Sequence, residues 1–466
     1  MRKSASALPP GWRHGASCCS LFVPSAGNFA IQWNFSTLSI AVAIMTASSG
    51  GYSEPSWAKY ALLGTVFAGA MAGMIGMGAL GDALGRRLGM ATTLSLVVAG
   101  ALGSALLPWG DGDELFGVLA ACRFVLGVGV GGIYPMAAAS AHEGASSHGG
   151  NARAALAAVG YAFFWQTVGA LAPSLAALLL LLASQPGPGV ASWQFRVLLG
   201  AGALFAAVPL VATLREAPAA GAGGAGARLG VNAGKTAAPA QAVSPAQLRA
   251  LAGTTSTWLL FDIALYGTSI FSPAILSDIF GTETLEELCW HSAIIAAVAL
   301  PACAAAIYLL KPMGARALSN AGFALIAAAF AALAVAFNLD AVPNTKFALY
   351  IVLSFALQGP NLTTYVIPAE AFPARIRGTM HGTSAAAGKL GAVIGTFMFQ
   401  PISDAWGVAG VLWVQVALAL LGLLASATLL PAAPLEDDGD AGDGFARLAD
   451  GDDDGTDGRS KLLVDA

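Results

Sequence analysis

The chain has 466 residues, of which 56% are hydrophobic and only 10% charged, with a net charge of −4. Soluble domains carry roughly 25% charged residues, so too little polar side chain is present to cover this apolar mass in water. The composition excludes a soluble enzyme or a nucleic-acid-binding domain, since no basic face exists, and it points to a polytopic all-α membrane protein.

The first stretch, MRKSASALPPGWRHGASCCS (1–20), is basic and free of acids. It reads as a short cytosolic tail, with an organelle-targeting segment as the alternative. Apolar runs long enough to cross a bilayer as helices follow along the whole chain. They predict twelve spans: 21–46, 57–80, 89–108, 114–139, 153–183, 194–214, 254–276, 289–310, 317–337, 345–368, 381–401 and 408–430. The runs do not alternate as barrel strands do. Span 1 is the weakest, diluted by Asn28, Gln32 and Asn34.

The basic residues alternate between loops. One set of loops carries Arg86, Arg87, Arg153, Arg215, Arg249, Lys311, Arg316, Arg375 and Arg377. The other carries DGDE (111–114), TETLEE (282–287), Asp340 and Asp404. The positive-inside rule puts the first set, and with it both termini, in the cytoplasm.

Residues 215–252 are rich in Ala, Gly and Pro and predict a disordered cytoplasmic linker. It separates a first six-helix bundle (21–214) from a second (253–430). An acidic, disordered cytoplasmic tail is expected over 431–466. The halves echo one another weakly. Gly85 and Arg87 after span 2 match Gly314 and Arg316 after span 8. Tyr134 precedes Glu143 by nine residues, as Asn361 precedes Glu370. Such half-repeats build transporters whose substrate site lies between the halves.

Several motifs mislead. GVGVGG (127–132) has the dinucleotide-loop spacing but lies within a span, where small residues serve close helix packing. GVNAGKT (230–236) is one residue short of a phosphate-binding loop. Asn34 and Asn361 fit the glycosylation pattern but sit inside spans. The five cysteines follow no disulfide or metal spacing, and the five histidines form no cluster, so neither metal nor cofactor is expected.

GMGALGDALGRR (76–87) resembles the signature loop of the major facilitator superfamily, with Gly78, Asp82, Gly85, Arg86 and Arg87 in its key places. Arg123 followed by Gly127, Gly129 and Gly131 resembles its span 4 signature. A buried arginine at the centre of a span costs about 3 kcal/mol, so Arg123 is expected to face the interior with partners. A narrower resemblance covers most of both halves. GVGVGGIYPMAAASAHE (127–143), TWLLFDIALYG (257–267) and GPNLTTYVIPAEAFPARIRGTMHGTSAAAGKLGA (359–392) resemble segments of the phosphate:proton symporter family.

That resemblance implies a twelve-helix major facilitator fold, two six-helix bundles with pseudo-two-fold symmetry. It also implies a phosphate site made by Tyr134, Gln166, Trp258, Asp262, Tyr266, Asn361 and Lys389. The residues agree with it. Trp258, Asp262 and Tyr266 are spaced four apart and share one helical face. Asp262 is a lone anion and Lys389 a lone cation in apolar spans, each costly unless they converge. A structural ion pair between them is the plainer alternative. Asp262 is also the expected proton carrier. Two family acids are missing: Asn34 stands where span 1 would carry one, and Ile133 replaces the aspartate before Tyr134. Glu143 and Glu370 are expected to gate the cytoplasmic side by pairing with Arg153, Arg375 and Arg377.

The expectation is a monomeric secondary transporter that imports inorganic phosphate with protons across a lipid bilayer. The plasma membrane is the default and an organellar membrane the alternative. The rival readings are transport of another anion or an organic solute, and a phosphate sensor that does not transport.

Overall fold

The computed structural model describes residues 18–47, 51–147, 151–184, 190–215, 243–281 and 284–435. The predicted N-terminal tail, most of the linker with GVNAGKT (230–236), and the acidic run beyond 435 lie outside these residues.

The described chain is helical. α1 (Cys18–Thr46), α2 (Ala58–Leu84), α3 (Arg86–Leu106), α4 (Gly112–Ser147), α5 (Ala152–Ala183) and α6 (Val190–Arg215) form the first half. α7 (Pro245–Phe280), α8 (Leu285–Met313), α9 (Ala315–Asn338), α10 (Pro343–Ala356), α11 (Gln358–Ala371) and α12 (Arg377–Leu429) form the second. Nine described helices are by themselves long and apolar enough to cross a membrane. α7, α10, α11 and the first arm of α12, which carry Asp262, Asn361 and Lys389, are not among them.

Two departures concern how spans are divided. The predicted span 345–368 is two helices, α10 and α11, parted at Leu357. Pro360 has no N–H to give the carbonyl of Ala356, so one helical bond is missing there. Leu357 keeps helical angles (φ −58°, ψ −24°), and Asn361 N–H still reaches its carbonyl at 3.1 Å. Conversely, α12 holds both of the last predicted spans, divided at Gly407 with φ 68°. The chain reverses there: Gly378 at its start and Leu429 at its end pack at the same end of the bundle, the latter against Gly253.

A third departure is the linker. It does not run to residue 252, because α7 begins at Pro245. Ser244 Oγ accepts from Gln247 N–H (3.3 Å), and Gln247 Oε1 accepts from Ser244 N–H (3.1 Å), a reciprocal N-terminal cap ahead of a first-turn proline. The tail likewise starts ordered. Leu435 N–H donates to the Ala371 carbonyl at 3.0 Å, seating residues 431–435 beside the end of α11.

Small residues let the helices close on one another. A side chain on Gly127 or Gly131 would strike the α2 backbone at Val66 and Ala70, and one on Gly129 would strike α3 at Thr93 and Val97. The GVGVGG stretch is therefore a packing surface, as its place within a span predicts. The halves meet mainly through α2 against α12 and α5 against α8.

The half-repeat is visible in detail. Gly85 (φ 99°, ψ 152°) and Gly314 (φ 78°, ψ 159°) turn the chain alike between α2 and α3 and between α8 and α9. Arg87 donates to the carbonyls of Thr213 (3.1 Å) and Leu214 (2.8 Å), at the end of α6. Arg316 donates to the Ala427 carbonyl, near the end of α12. Each arginine thus binds the negative terminus of its half's last helix. These groups define one basic end of the bundle. The acidic loops gather at the other, where Asp111 accepts from Ser53 N–H at 2.8 Å and Asp113 from Trp57 Nε1 at 2.7 Å.

Candidate substrate-binding site

All seven residues of the predicted site line one cavity of about 890 Å³ between the halves. It runs from Trp258 in the bundle interior to Glu54 at the acidic end. α7 presents Trp258, Asp262 and Tyr266 on one face. α12 brings Lys389 across to them: its Nζ donates to Asp262 Oδ2 at 2.9 Å and to Tyr266 Oη at 2.8 Å. Both charged side chains are 3% exposed, so the pair is desolvated and each charge depends on the other. α7 and α12 can approach this closely because of glycines. A side chain on Gly388 would overlap the Trp258 ring, and one on Gly391 the Leu259 carbonyl.

Aromatic rings box the ammonium in. Lys389 Nζ lies 4.4 Å from the Tyr266 ring centre, 5.5 Å from that of Tyr134 and 5.7 Å from that of Phe35. These distances suit cation–π attraction. The Trp258 ring lies 6.3 Å from the Tyr134 ring. Gln166 Nε2 donates to Asn28 Oδ1 at 2.6 Å, and Asn361 Nδ2 to Gln358 Oε1 at 3.2 Å. The cavity wall therefore offers one ammonium, one carboxylate, two phenols, an indole N–H and two primary amides. That set fits a small oxyanion carrying both acceptor oxygens and O–H groups.

The basic end is closed below this cavity. Asp82 accepts from the backbone N–H groups of Gly378 (3.1 Å) and Thr379 (2.6 Å) and from Thr379 Oγ1 (2.7 Å). Arg86 bridges Asp82 (2.5 Å) and Glu143 (2.9 Å), and Glu143 also accepts from Arg377 at 3.1 Å. Gly78 packs so tightly on Gly378 that a side chain would lie 2.5 Å from its carbonyl oxygen. Arg377 thus pairs with Glu143 as expected, but Arg86 is the other partner. Arg153 stays exposed at the start of α5, outside the cluster, and Arg375 is exposed too. Glu370 makes no ion pair among the described residues. It lines a separate cavity of about 400 Å³ with Arg316, Asn320 and the ordered start of the tail. The half-repeat explains this: where Arg86 follows Gly85 and reaches Glu143, Ala315 follows Gly314.

Arg123 meets its expectation in placement but falls short of it in partners. It faces the interior and is fully buried, as expected, but among the described residues its one hydrogen bond is from Nη1 to the Asn34 carbonyl at 3.2 Å, and Nε and Nη2 have no partner. The Asn34 amide donates instead to the carbonyls of Ala30 (2.8 Å) and Gly202 (3.5 Å). Ile133 is buried against Gly27. Asn28 escaped the sequence reading: it links Gln166 to the Tyr365 hydroxyl (3.2 Å) across the two halves. Asn28, Gln32 and Asn34, which dilute span 1, were the available signal, since α1 turns polar groups inward.

Two halves of six passes around a central cavity, with one end sealed by charge, define a membrane transporter of the major facilitator type. The family model for "Sugar (and other) transporter" matches residues 20–219 and 256–434. The inorganic phosphate transporter PT2 of Toxoplasma gondii is 34% identical over 394 residues, covering 84% of this chain and 68% of that protein. The inorganic phosphate transporter 1-6 of Oryza sativa subsp. japonica is 30% identical, covering 78% and 79%. Among solved structures, the proton:xylose symporter XylE superposes with a TM-score of 0.66 at 16% identity, over 89% of this chain and 95% of that one. The chain belongs to the phosphate transporter family of the major facilitator superfamily and is a multi-pass integral membrane protein.

Proposed function

We propose that this protein carries inorganic phosphate across its membrane, together with protons, by alternating access. The observation that carries the reading is the convergence of Tyr134, Gln166, Trp258, Asp262, Tyr266, Asn361 and Lys389 on one cavity, with Lys389 held by Asp262.

The pair supplies the coupling logic. While Asp262 is ionised, it neutralises Lys389, and an entering phosphate monoanion would leave a net negative charge in a dry site. A proton on Asp262 frees the ammonium for the anion. Proton and phosphate therefore favour each other's binding, and the favour is reciprocal. Asp262 also discriminates, because its protonated carboxyl keeps a carbonyl oxygen that accepts from the O–H of dihydrogen phosphate, a donor that sulfate lacks.

By the positive-inside rule, the basic end faces the cytosol, with both termini. The cavity then faces outward and the Asp82–Glu143 cluster closes the inner side. Separation of α2 from α12 would open that side while the opposite end closes. Each net positive charge carried inward gains about 2.3 kcal/mol per 100 mV, so dihydrogen phosphate needs at least two protons to use the potential. The plasma membrane suits uptake, each chain acting as a monomer with its own passage, and a fluorescent C-terminal fusion tests the location.

The deciding experiment is uptake of labelled phosphate by liposomes containing the purified protein, with and without a pH gradient. Uptake driven by an acid exterior, blocked by arsenate and indifferent to sulfate and sugars, is expected. No uptake above empty liposomes overturns the phosphate reading; uptake indifferent to the gradient overturns the coupling alone.

A further inference from the structure

His381 lies on α12 two turns before Lys389, between the cavity and the closed basic end. It is completely buried. Its Nε2 is 3.0 Å from the Tyr365 carbonyl. A carbonyl only accepts, so Nε2 carries the hydrogen and Nδ1 is the bare, basic nitrogen. Among the described residues, that Nδ1 has no hydrogen-bond partner. The ring is fixed edge-on by Trp258 at 5.5 Å and Tyr365 at 5.2 Å.

Both neighbours tie it to the cavity. Trp258 lines the cavity one turn before Asp262 on α7, and the Tyr365 hydroxyl joins the Asn28–Gln166 chain. One turn further along α12, toward the cavity, the Thr254 and Ser384 hydroxyls join α7 to α12, 2.7 Å apart. The charges acting on the imidazole are Arg377 of its own helix and Arg86 of α3, both toward the basic end. Tyr365 on α11 and, through it, Tyr134 on α4 are the titratable groups that face it. α7 presents only the neutral Trp258 and Thr254 there, and α2 its backbone at Met74, against Gly382. A basic nitrogen left bare in the core is costly, and among the described residues no carboxylate acts on it.

We propose that His381 Nδ1 is the proton acceptor on the exit path, receiving the proton that travels with phosphate as the substrate leaves toward the basic end. The inference rests on the proton-coupled reading above. When α2 parts from α12, an O–H of dihydrogen phosphate donates to Nδ1. The O–H bond breaks with its electron pair left on oxygen. The Asp262 proton passes to a phosphate oxygen as Asp262 re-forms its pair with Lys389, so dihydrogen phosphate departs, and the imidazolium gives the co-transported proton to water at the basic end. His381 is thus a second titratable station below Asp262, in a chain that has Asn34 and Ile133 at two positions where acids would be expected.

The test compares the full-length protein with His381→Gln in liposomes, since Gln can still donate to the Tyr365 carbonyl. Phosphate–phosphate exchange at equal pH needs no net proton movement and is expected within about twofold of the parent. Net uptake is expected to fall about a hundredfold and lose its dependence on internal pH between about 6 and 8. Net uptake with the parent's pH profile overturns the inference while leaving phosphate transport standing; absent uptake by the parent overturns the transport reading instead. Should the variant lose exchange as well, a second measurement decides. Diethyl pyrocarbonate labels unprotonated imidazole nitrogen, and peptide mass reports His381. In Asp82→Asn, whose basic end is loosened, labelling suppressed by phosphate but not by sulfate is expected. No labelling, or labelling indifferent to phosphate, overturns the inference.

Discussion

Asp82 of α2 caps the N-terminus of α12 in the other half, accepting from the N–H groups of Gly378 at 3.1 Å and Thr379 at 2.6 Å. The residue in the cap position of α12 itself, Ile376, has no side-chain oxygen to offer. The two halves are thus joined by completing a helix end, with a carboxylate at the positive pole of the α12 dipole.

Asp82→Asn keeps the shape and removes the charge. Asn caps about as well as Asp, so the variant removes the charge at the dipole, about 0.3–1 kcal/mol, and should shift the balance toward an open basic end by about twofold to fivefold. Cysteines placed on either side of the α2–α12 contact, read by accessibility to a charged thiol reagent, measure this. Unchanged labelling would show that the cap does not hold the halves together.

Removing one member of the Lys389–Asp262 pair strands the other in the core. Lys389→Gln and Asp262→Asn should each lower stability by about 3–5 kcal/mol. The double variant should recover most of that loss while failing to bind phosphate. Thermal unfolding in detergent and phosphate binding separate the effects. A double variant as unstable as the singles would remove the pairing argument.

How far these features were legible in the sequence depends on their range. The passes were readable because bilayer thickness fixes the length of an apolar run. The pocket was readable because charges isolated in such runs, here Asp262 and Lys389, must find each other, and because the motifs around them resemble a known family. Asp82 drew attention as an acid in a basic loop, but its backbone partners lie almost three hundred residues away and carry no side-chain signal. Asn28 and His381 were passed over for a similar reason: a hydrogen-bonded chain across α1, α5, α11 and α12 has no local spacing. The start of α7 was different. Ser244 and Gln247 mark it plainly, but the Ala/Gly run before them hid the signal.

Arg123 leads to a third prediction. Two of its nitrogens are unpartnered beside Asn34. Asn34→Asp should supply a charge-assisted partner contributing about 1.5–3 kcal/mol, raising the melting temperature. It should also add an acidic limb to the pH profile of uptake, because a new carboxylate then titrates within α1. A lower melting temperature would mean that the Asn34 bonds to Ala30 and Gly202 matter more than the stranded guanidinium.

Gly382 supplies a steric test. A side chain there would lie 2.0 Å from the Met74 carbonyl of α2, so Gly382→Ala should wedge the basic end apart and favour the same open population as Asp82→Asn. Gly64→Ala is the control, since among the described residues nothing lies within 4 Å of the added carbon. In a helix it should be neutral or stabilising by up to about 1 kcal/mol. Equal behaviour of the two in the thiol assay would rule out the wedge.

The bond from Leu435 to the Ala371 carbonyl fixes where the acidic extension leaves the membrane-embedded body. Its root is stitched to the last turn of α11, a helix that also carries Asn361 in the cavity wall. A change in the tilt of that helix would therefore carry residues 431–435 with it, so the cavity wall and the start of the acidic segment share one mechanical element.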